Sequence, residues 1–317
     1  MKTGTVFPSE YYPIYREKIM NFVSWEISVI AFLPALFLCG FIYYKDRIEK
    51  EPLPLLLLLF GWGAAAYLPT LAAEKAVLAG VDALFASSMS FSADGMLVYS
   101  SNIAMIFHKL LSSFVGIALL ETAVKLAILY FTTSKSRHFN YMFDGIVYSV
   151  FVSIGFAAVE NIRFAWINGW ETLVLRSLAS IPCHLIVGII MGYFYTTWNA
   201  YRKAVQLEQA CLKRGVISEA RLKTSTRWLV LSGLFPLLTA GIYTVGGSIH
   251  STVVDTLFYF VVFFLYGISF LGVDKFSDED RSASAFARKT VHRLHPETNA
   301  ETWEAADSAV NTEEENK

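Results

Sequence analysis

The chain has 317 residues, of which 55% are hydrophobic and 15% aromatic, and its formal net charge is −1. Together with a mean hydropathy of +0.46, this composition excludes an ordinary soluble domain and predicts an integral membrane protein. The near balance of 26 basic and 27 acidic residues gives no indication of nucleic-acid binding. The three cysteines are widely spaced, so neither a disulfide framework nor a cysteine-type zinc site is expected.

Seven apolar segments are long enough to cross a hydrocarbon layer, which needs about 20 residues for each helix. We therefore predict an all-α, polytopic helical bundle with seven transmembrane helices, and an eighth crossing is the alternative. The segment 74–102 is only moderately apolar and is predicted to be a surface or re-entrant element. The predicted spans are 22–44, 53–73, 110–132, 141–167, 174–199, 228–249 and 251–273.

Basic residues follow the first, third and fifth spans, and the positive-inside rule places these loops in the cytoplasm. The resulting organisation has an extracytoplasmic segment at 1–21 and a transmembrane domain at 22–273. The polar residues 274–317 are predicted to form a cytoplasmic tail that is disordered or only locally helical.

Ionisable residues inside the spans need an explanation, because a charge at the bilayer centre costs about 2.5–3.5 kcal/mol even on the most lenient scale. Four of them are predicted to lie at mid-span or in the outer half of one cavity: Glu121, Glu160, His184 and His250. The complete set is Glu26, Glu121, Lys125, Glu160, Arg163, Arg176, His184, His250 and Asp255.

Two pairs of opposite charge stand at helical spacing. Glu121 precedes Lys125 by four residues, the favourable order for an ion pair on one helix face. Glu160 and Arg163, three residues apart, are a second candidate pair, although Arg163 would also reach the outer interface by snorkelling. The alternative for both pairs is simple neutralisation of charge inside the bundle.

Packing signals are also present in the apolar spans. Gly188 and Gly192 form a small-residue face that favours close packing of the fifth helix against a partner. Prolines inside spans are candidate kinks, because each frees backbone groups that other groups must satisfy. These prolines are Pro34, Pro69, Pro182 and Pro236.

Two chemistries use glutamates and histidines at membrane depth. In one, a glutamate is the general base for water and histidines donate to the developing oxyanion. In the other, Glu160, His184 and His250 are candidate ligands of Zn²⁺, which would keep an open position for water. The chain has no His-Glu-x-x-His helix, so the choice between a zinc site and no cofactor stays open.

Four pieces of the sequence together resemble the PrsW family of intramembrane proteases, which is distantly similar to type II CAAX prenyl endopeptidases. The resemblance covers about residues 30–270. The pieces are Asp46-Arg47-Ile48-Glu49-Lys50-Glu51-Pro52; Glu121-Thr122-Ala123-Val124-Lys125; Phe143-Asp144-Gly145 leading to Gly155-Phe156-Ala157-Ala158-Val159-Glu160-Asn161; and His184 with Gly188 and Gly192-Tyr193, followed by His250.

The resemblance implies a membrane-embedded endopeptidase of a bacterial-type inner membrane, acting on a membrane protein such as a single-pass anti-sigma factor. It implies that Glu121 is the preferred general base and that Lys125 sets the charge of Glu121. Glu160 would share in activating water or would be a metal ligand. His184 and His250 would stabilise the oxyanion or bind metal.

This chain departs from the family pattern in two places. Thr122 stands where the family carries a second glutamate. A polar residue is expected one turn after His250, but Val254 stands there and Asp255 follows.

Two other functions remain as alternatives. A non-catalytic receptor, scaffold or transporter would use the same buried cluster to bind a ligand or protons. Processing of prenylated C-termini would require access from the cytoplasmic side, and the outer position of the cluster disfavours it.

Overall fold

A computed structural model describes residues 13–91, 97–168, 170–248 and 252–296, and most of these residues are helical. A short antiparallel hairpin separates the second and third helices, with Met89 opposite Tyr99. The elements are α1 (Pro13–Lys45), α2 (Leu53–Phe85), β1 (Met89–Phe91), β2 (Leu97–Tyr99), α3 (Asn102–Leu111), a π-helical segment (Ser112–Ala118), α4 (Leu119–Thr133), α5 (Asp144–Asn168), α6 (Trp170–Lys213), α7 (Thr226–Gly247), α8 (Thr252–Asp278) and α9 (Ala283–Leu294).

Seven helical stretches within the described ranges are long and apolar enough to cross a membrane, which confirms the predicted all-α polytopic bundle. Several helices are longer than their predicted spans. α1 begins at Pro13, and α2 runs to Phe85 through half of the segment predicted as a surface or re-entrant element. The described residues after Phe85 in that segment include the strands of the β1–β2 hairpin, and no eighth span is found among the described residues.

The helix α5 is the centre of the bundle. Of its most apolar window, 83% is buried, against 11% for the corresponding window of α8. It packs against α6, α2 and α1, and most of its buried apolar side chains belong to one continuous hydrophobic core. Many large apolar side chains of α8 and α7 are instead exposed, as expected for helices that face lipid.

Glycines allow the helices around α5 to approach closely. A Cβ atom added at Gly155 would lie 2.2 Å from the carbonyl oxygen of Phe60 on α2, and one at Gly192 would lie 2.5 Å from the carbonyl oxygen of Gly145. At Gly188 the nearest atom would be Cα of Val150, at 3.1 Å. The predicted small-residue face of the fifth span, which lies on α6, is therefore confirmed, and this face packs against α5. All four interior prolines lie within helices.

One end of the bundle carries the loops 46–52, 134–143 and 214–225 together with α9, and we call it the basic end. The predicted tail from residue 274 is expected to be disordered or only locally helical. In its described part α8 continues to Asp278, and α9 packs on the C-terminal part of α6. The apolar face of α9 forms a small core with α6. Glu208 and His295, both 1% exposed, are joined there by a 2.8 Å hydrogen bond.

Candidate active site

A cavity of about 590 Å³ lies between α4, α5, α6, α7 and α8. Its polar wall carries Glu121, Lys125, Glu160, Arg176 and His184, and its remaining surface is largely apolar. Four predicted site residues from three spans therefore meet at one cavity.

The cavity lies away from the basic end. Glu160 is 16 residues after Asp144, the first residue of α5, which corresponds to about 24 Å along a helix axis. In a hydrocarbon core about 30 Å thick, this depth falls in the half that is remote from the basic loops.

The π-helical segment Ser112–Ala118 leads directly into α4 and sets the face that α4 presents to the cavity. A wider turn changes the rotation of every residue after it, and such segments occur often at functional sites. Three residues later Glu121 enters the cavity wall, and Lys125 follows one turn on. Packing keeps this segment in place, since a Cβ atom at Gly116 would lie 2.6 Å from the side chain of Leu78 on α2.

Lys125 joins the acidic and imidazole groups of the site. Its side chain is 1% exposed, and its Nζ donates to Oε2 of Glu121 at 2.7 Å and to Nδ1 of His184 at 3.1 Å. The ammonium also lies 4.3 Å from the centre of the Phe156 ring. The predicted Glu121–Lys125 pair is therefore present, and the lysine in addition fixes the histidine.

The contacts of His184 identify its tautomer. An ammonium group has donors only, so Nδ1 of His184 accepts from Lys125 and the ring proton lies on Nε2. Nε2 then donates to Oε2 of Glu160 at 2.9 Å. In this arrangement the imidazole is neutral and both of its nitrogens are engaged.

Glu160 has a different ion-pair partner from the one that the spacing suggested. Its Oε1 binds a guanidinium nitrogen of Arg176 at 2.7 Å, whereas Arg163 donates to the hydroxyl of Tyr67 at 3.3 Å. Arg176 also stacks over Phe164, with its guanidinium carbon 3.9 Å from the ring centre. The predicted Glu160–Arg163 pair is therefore wrong, because Glu160 pairs with Arg176 on α6 and not with Arg163 on its own helix.

The side chains at this site are of the types that bind zinc, but those that the structure describes are engaged with other side chains of the site and do not form a metal centre, while the third candidate ligand, His250, lies outside the described residues. Nδ1 of His184 is taken by Lys125, and Oε1 of Glu160 is paired with Arg176. Among the described residues, no three His, Cys, Asp or Glu side chains form a group that would hold a metal ion. A zinc ion would require Lys125 to release the histidine.

The remaining predicted residues either do not line the described cavity or lie outside the described residues. His250 falls outside the described residues, as does the side chain of Asp255. Glu26 is exposed on α1. Asn161, next to Glu160, points elsewhere and donates weakly to the carbonyl of Ala31 at 3.4 Å.

Two residues of the site region were missed by sequence reasoning. Glu74 lies on the extension of α2 beyond the predicted span, within electrostatic range of Glu121 and Glu160. Tyr243 of α7 places a phenol on the cavity wall. A helical pattern continued past residue 73 would have revealed Glu74, but an aromatic residue in an apolar span gives no signal of its own.

Three acidic residues of the family motifs, Asp46, Glu51 and Asp144, lie in a second buried group at the basic end. Tyr148 donates to Oε2 of Glu51 at 2.6 Å, and the backbone N–H of Glu51 donates to Asp46 at 3.0 Å. Burial raises the pKa of Glu51 to about 7 and that of Asp280 to about 6. Asp144 accepts from two backbone N–H groups in the loop before α5. These contacts tie α1, α2 and α5 together, far from the cavity.

Comparison with known proteins identifies the family of this chain. Residues 51–268 match the PrsW family, described as intramembrane metalloproteases. The chain is 31% identical over 162 residues to a protein named Protease PrsW from Geobacillus kaustophilus, and 34% identical over 161 residues to its namesake from Oceanobacillus iheyensis. These alignments cover 51% of this chain in each case, and 62% and 64% of the relatives.

A longer alignment exists to the Protease PrsW of Halalkalibacterium halodurans, with 30% identity over 219 residues. It covers 69% of this chain and 82% of that relative. No solved structure matches the chain.

Proposed function

Because the chain belongs to the PrsW family of intramembrane metalloproteases, we propose that it is an endopeptidase that hydrolyses a peptide bond of a membrane protein. The observation that supports this most strongly is the buried ammonium of Lys125, which joins Glu121 to His184 at the wall of the cavity. Burying a charged side chain in a membrane protein costs free energy. A purely structural role for Lys125 would leave this cost unexplained.

Glu121 is the proposed general base. Its Oε2 is fixed by Lys125 and its carboxylate borders the cavity, so a water molecule there is within reach of a positioned base. The ammonium group of Lys125 has three N–H donors, and two of them donate to Glu121 and His184. The third is available to the oxygen of the peptide bond as it gains negative charge.

Glu160 acts as a positioning residue in this proposal. Both of its oxygens are engaged, one by Arg176 and one by His184, so it is poorly placed to take a proton. A carboxylate that accepts a hydrogen bond from the ring N–H of a histidine fixes the orientation of the imidazole. When His184 turns from Glu160, its Nε2–H becomes a second oxyanion donor, and His250 is the proposed third.

An apolar groove between α6, α7 and α8 offers a route for the substrate. It has a volume of about 440 Å³ and shares Cys183, Tyr243 and Phe258 with the cavity. A groove lined by apolar side chains on the lipid side suits the transmembrane segment of a single-pass protein, and an anti-sigma factor in the cell membrane is the proposed substrate class.

The test compares membrane proteins that accumulate in cells carrying wild type, Glu121→Gln or Glu160→Gln. We expect one single-pass protein to accumulate uncut with Glu121→Gln, and to be cut more slowly with Glu160→Gln. Glu26→Gln is the control, because Glu26 is exposed on α1. Unchanged cleavage in both cavity variants would refute the mechanism, and ligand binding without hydrolysis would favour a receptor or transporter.

The description of the family as metalloproteases supports a metal site as the second candidate. In this candidate the proposed ion is Zn²⁺ and its proposed ligands are Glu160, His184 and His250. Metal analysis of the purified wild type beside His184→Ala separates the two mechanisms. The glutamate mechanism predicts no stoichiometric metal in either protein. Zinc at one equivalent in the wild type, lost in His184→Ala, would overturn the glutamate mechanism; Glu160, His184 and His250 would then hold the ion, which would supply Lewis-acid activation of water.

A further inference from the structure

A second cavity, of about 560 Å³, lies at the basic end, remote from Glu121 and Glu160. It is enclosed by α6, the 214–225 loop, the start of α7, and α9. No carboxylate lines it among the residues that the structure describes. The basic side chains around it are Arg221, Lys223, Arg227, Arg281, Lys289 and Arg293. Of these, Arg221 is paired with Glu219, which does not line the cavity.

The fold holds these side chains around a concave surface. Ala283, Ala287 and Val291 bury one face of α9, which leaves Lys289 and Arg293 exposed at the cavity. The α9 helix begins at a capping residue, Ser282, whose hydroxyl accepts from the N–H of Ala285 at 3.1 Å.

A single buried carboxylate fixes two walls of the cavity. Glu208 accepts from His295, just after α9, and from the backbone N–H groups of Arg221 and Leu222. The basic groups therefore belong to a fixed surface and are not scattered along flexible loops.

Aromatic side chains form the part of this region nearest to the bilayer. Arg227 lies 5.7 Å from the ring centre of Tyr201 and 5.2 Å from that of Trp228, while Tyr201 meets Phe286 edge to face at 5.3 Å. The span of α7 begins at Thr226, so the cavity opens where the hydrocarbon ends. Val230 of α7, on the membrane side of the cavity opening, is 60% exposed.

We propose that this cavity binds the phosphate headgroup of an anionic lipid in the leaflet at the basic end. Lys and Arg side chains around a cavity supply the donors that a phosphodiester needs. Basic pockets at the bilayer surface are suited to anionic headgroups, and exposed apolar residues of α7 would contact the acyl chains. The positive-inside rule accounts for basic loops, but not for six basic side chains around one cavity whose described lining contains no carboxylate.

The test measures lipid binding by the purified full-length chain in neutral detergent micelles. Phosphatidylglycerol is added in steps, and the rise in unfolding temperature is recorded, with phosphatidylcholine and inorganic phosphate as the comparison arms. The variant Lys289→Gln with Arg293→Gln removes two charges from the exposed face of α9. The control Lys135→Gln with Arg137→Gln removes two exposed charges from another loop of the same end.

We expect phosphatidylglycerol to stabilise the wild type and the control alike, and the cavity variant to need about tenfold more lipid. Arg227→Gln, on α7, provides an independent variant should α9 lose its packing. An equal loss in cavity and control variants would reduce the effect to general surface charge and overturn the proposal. Equal stabilisation by inorganic phosphate would overturn the lipid assignment.

The acidic residues of 297–317 are a competing occupant. If they fill the cavity, phosphatidylglycerol will fail to stabilise the full-length chain, and that result also overturns the proposal.

Discussion

Replacing Lys125 by methionine tests whether its ammonium holds the cavity together. The side chain is 1% exposed, and its removal leaves the Glu121 carboxylate and Nδ1 of His184 without their donor. Removing one partner of a buried ion pair costs about 3–5 kcal/mol. Because the Glu121 side chain is still 11% exposed, we expect a loss near the lower figure, about 3 kcal/mol.

A double-mutant cycle separates this pair from general damage. Glu121→Gln alone should cost a similar amount, since it leaves the lysine charge buried. The double variant removes both charges and should lose about 2 kcal/mol less than the sum of the single losses. Unfolding in detergent, followed by tryptophan fluorescence, gives each free energy.

The matched control is the pair Lys275 and Glu279 at the end of α8. These residues have the same four-residue separation, with a distance of 4.0 Å and side chains 71% and 68% exposed. Its coupling energy should be below about 0.5 kcal/mol. If the Glu121–Lys125 cycle is equally additive, the ammonium does not bridge the site and the proposed chemistry loses its support.

Three further predictions concern packing, pH and an unsatisfied hydroxyl. Gly155→Ala should lower the unfolding free energy by about 1–3 kcal/mol, because its Cβ would meet the carbonyl of Phe60, whereas Gly40→Ala, with nothing within 4 Å, should be neutral or better. Since burial raises the pKa of Glu51 from 4.5 to about 7, the folded state holds its proton longer than the unfolded state. The unfolding free energy of the wild type should therefore fall as the pH rises from 4.5 to about 7, relative to that of Glu51→Gln. Parallel pH profiles of the two proteins would contradict this. Thr122→Val should leave the unfolding free energy unchanged or raise it by up to about 1 kcal/mol, because the buried Thr122 hydroxyl has no described hydrogen-bond partner. A clear loss would show that the hydroxyl is bonded.

The sequence by itself determined the architecture of this protein and the residue types of its site. Long apolar runs can satisfy their backbone groups in a membrane only as helices, so the number of spans follows from composition and length. A charge inside such a run is costly enough to mark Glu121, Lys125, Glu160 and His184 without any coordinates.

The tertiary structure decided which of these groups meet. Spacing along one helix favoured Arg163 as the partner of Glu160, but the packing of α5 against α6 brings Arg176 to 2.7 Å instead. The bridge from Lys125 to His184 joins residues 59 positions apart. Helical periodicity fixes the face on which a side chain lies, whereas the neighbour of that face depends on how whole helices pack, and a single sequence does not encode that locally.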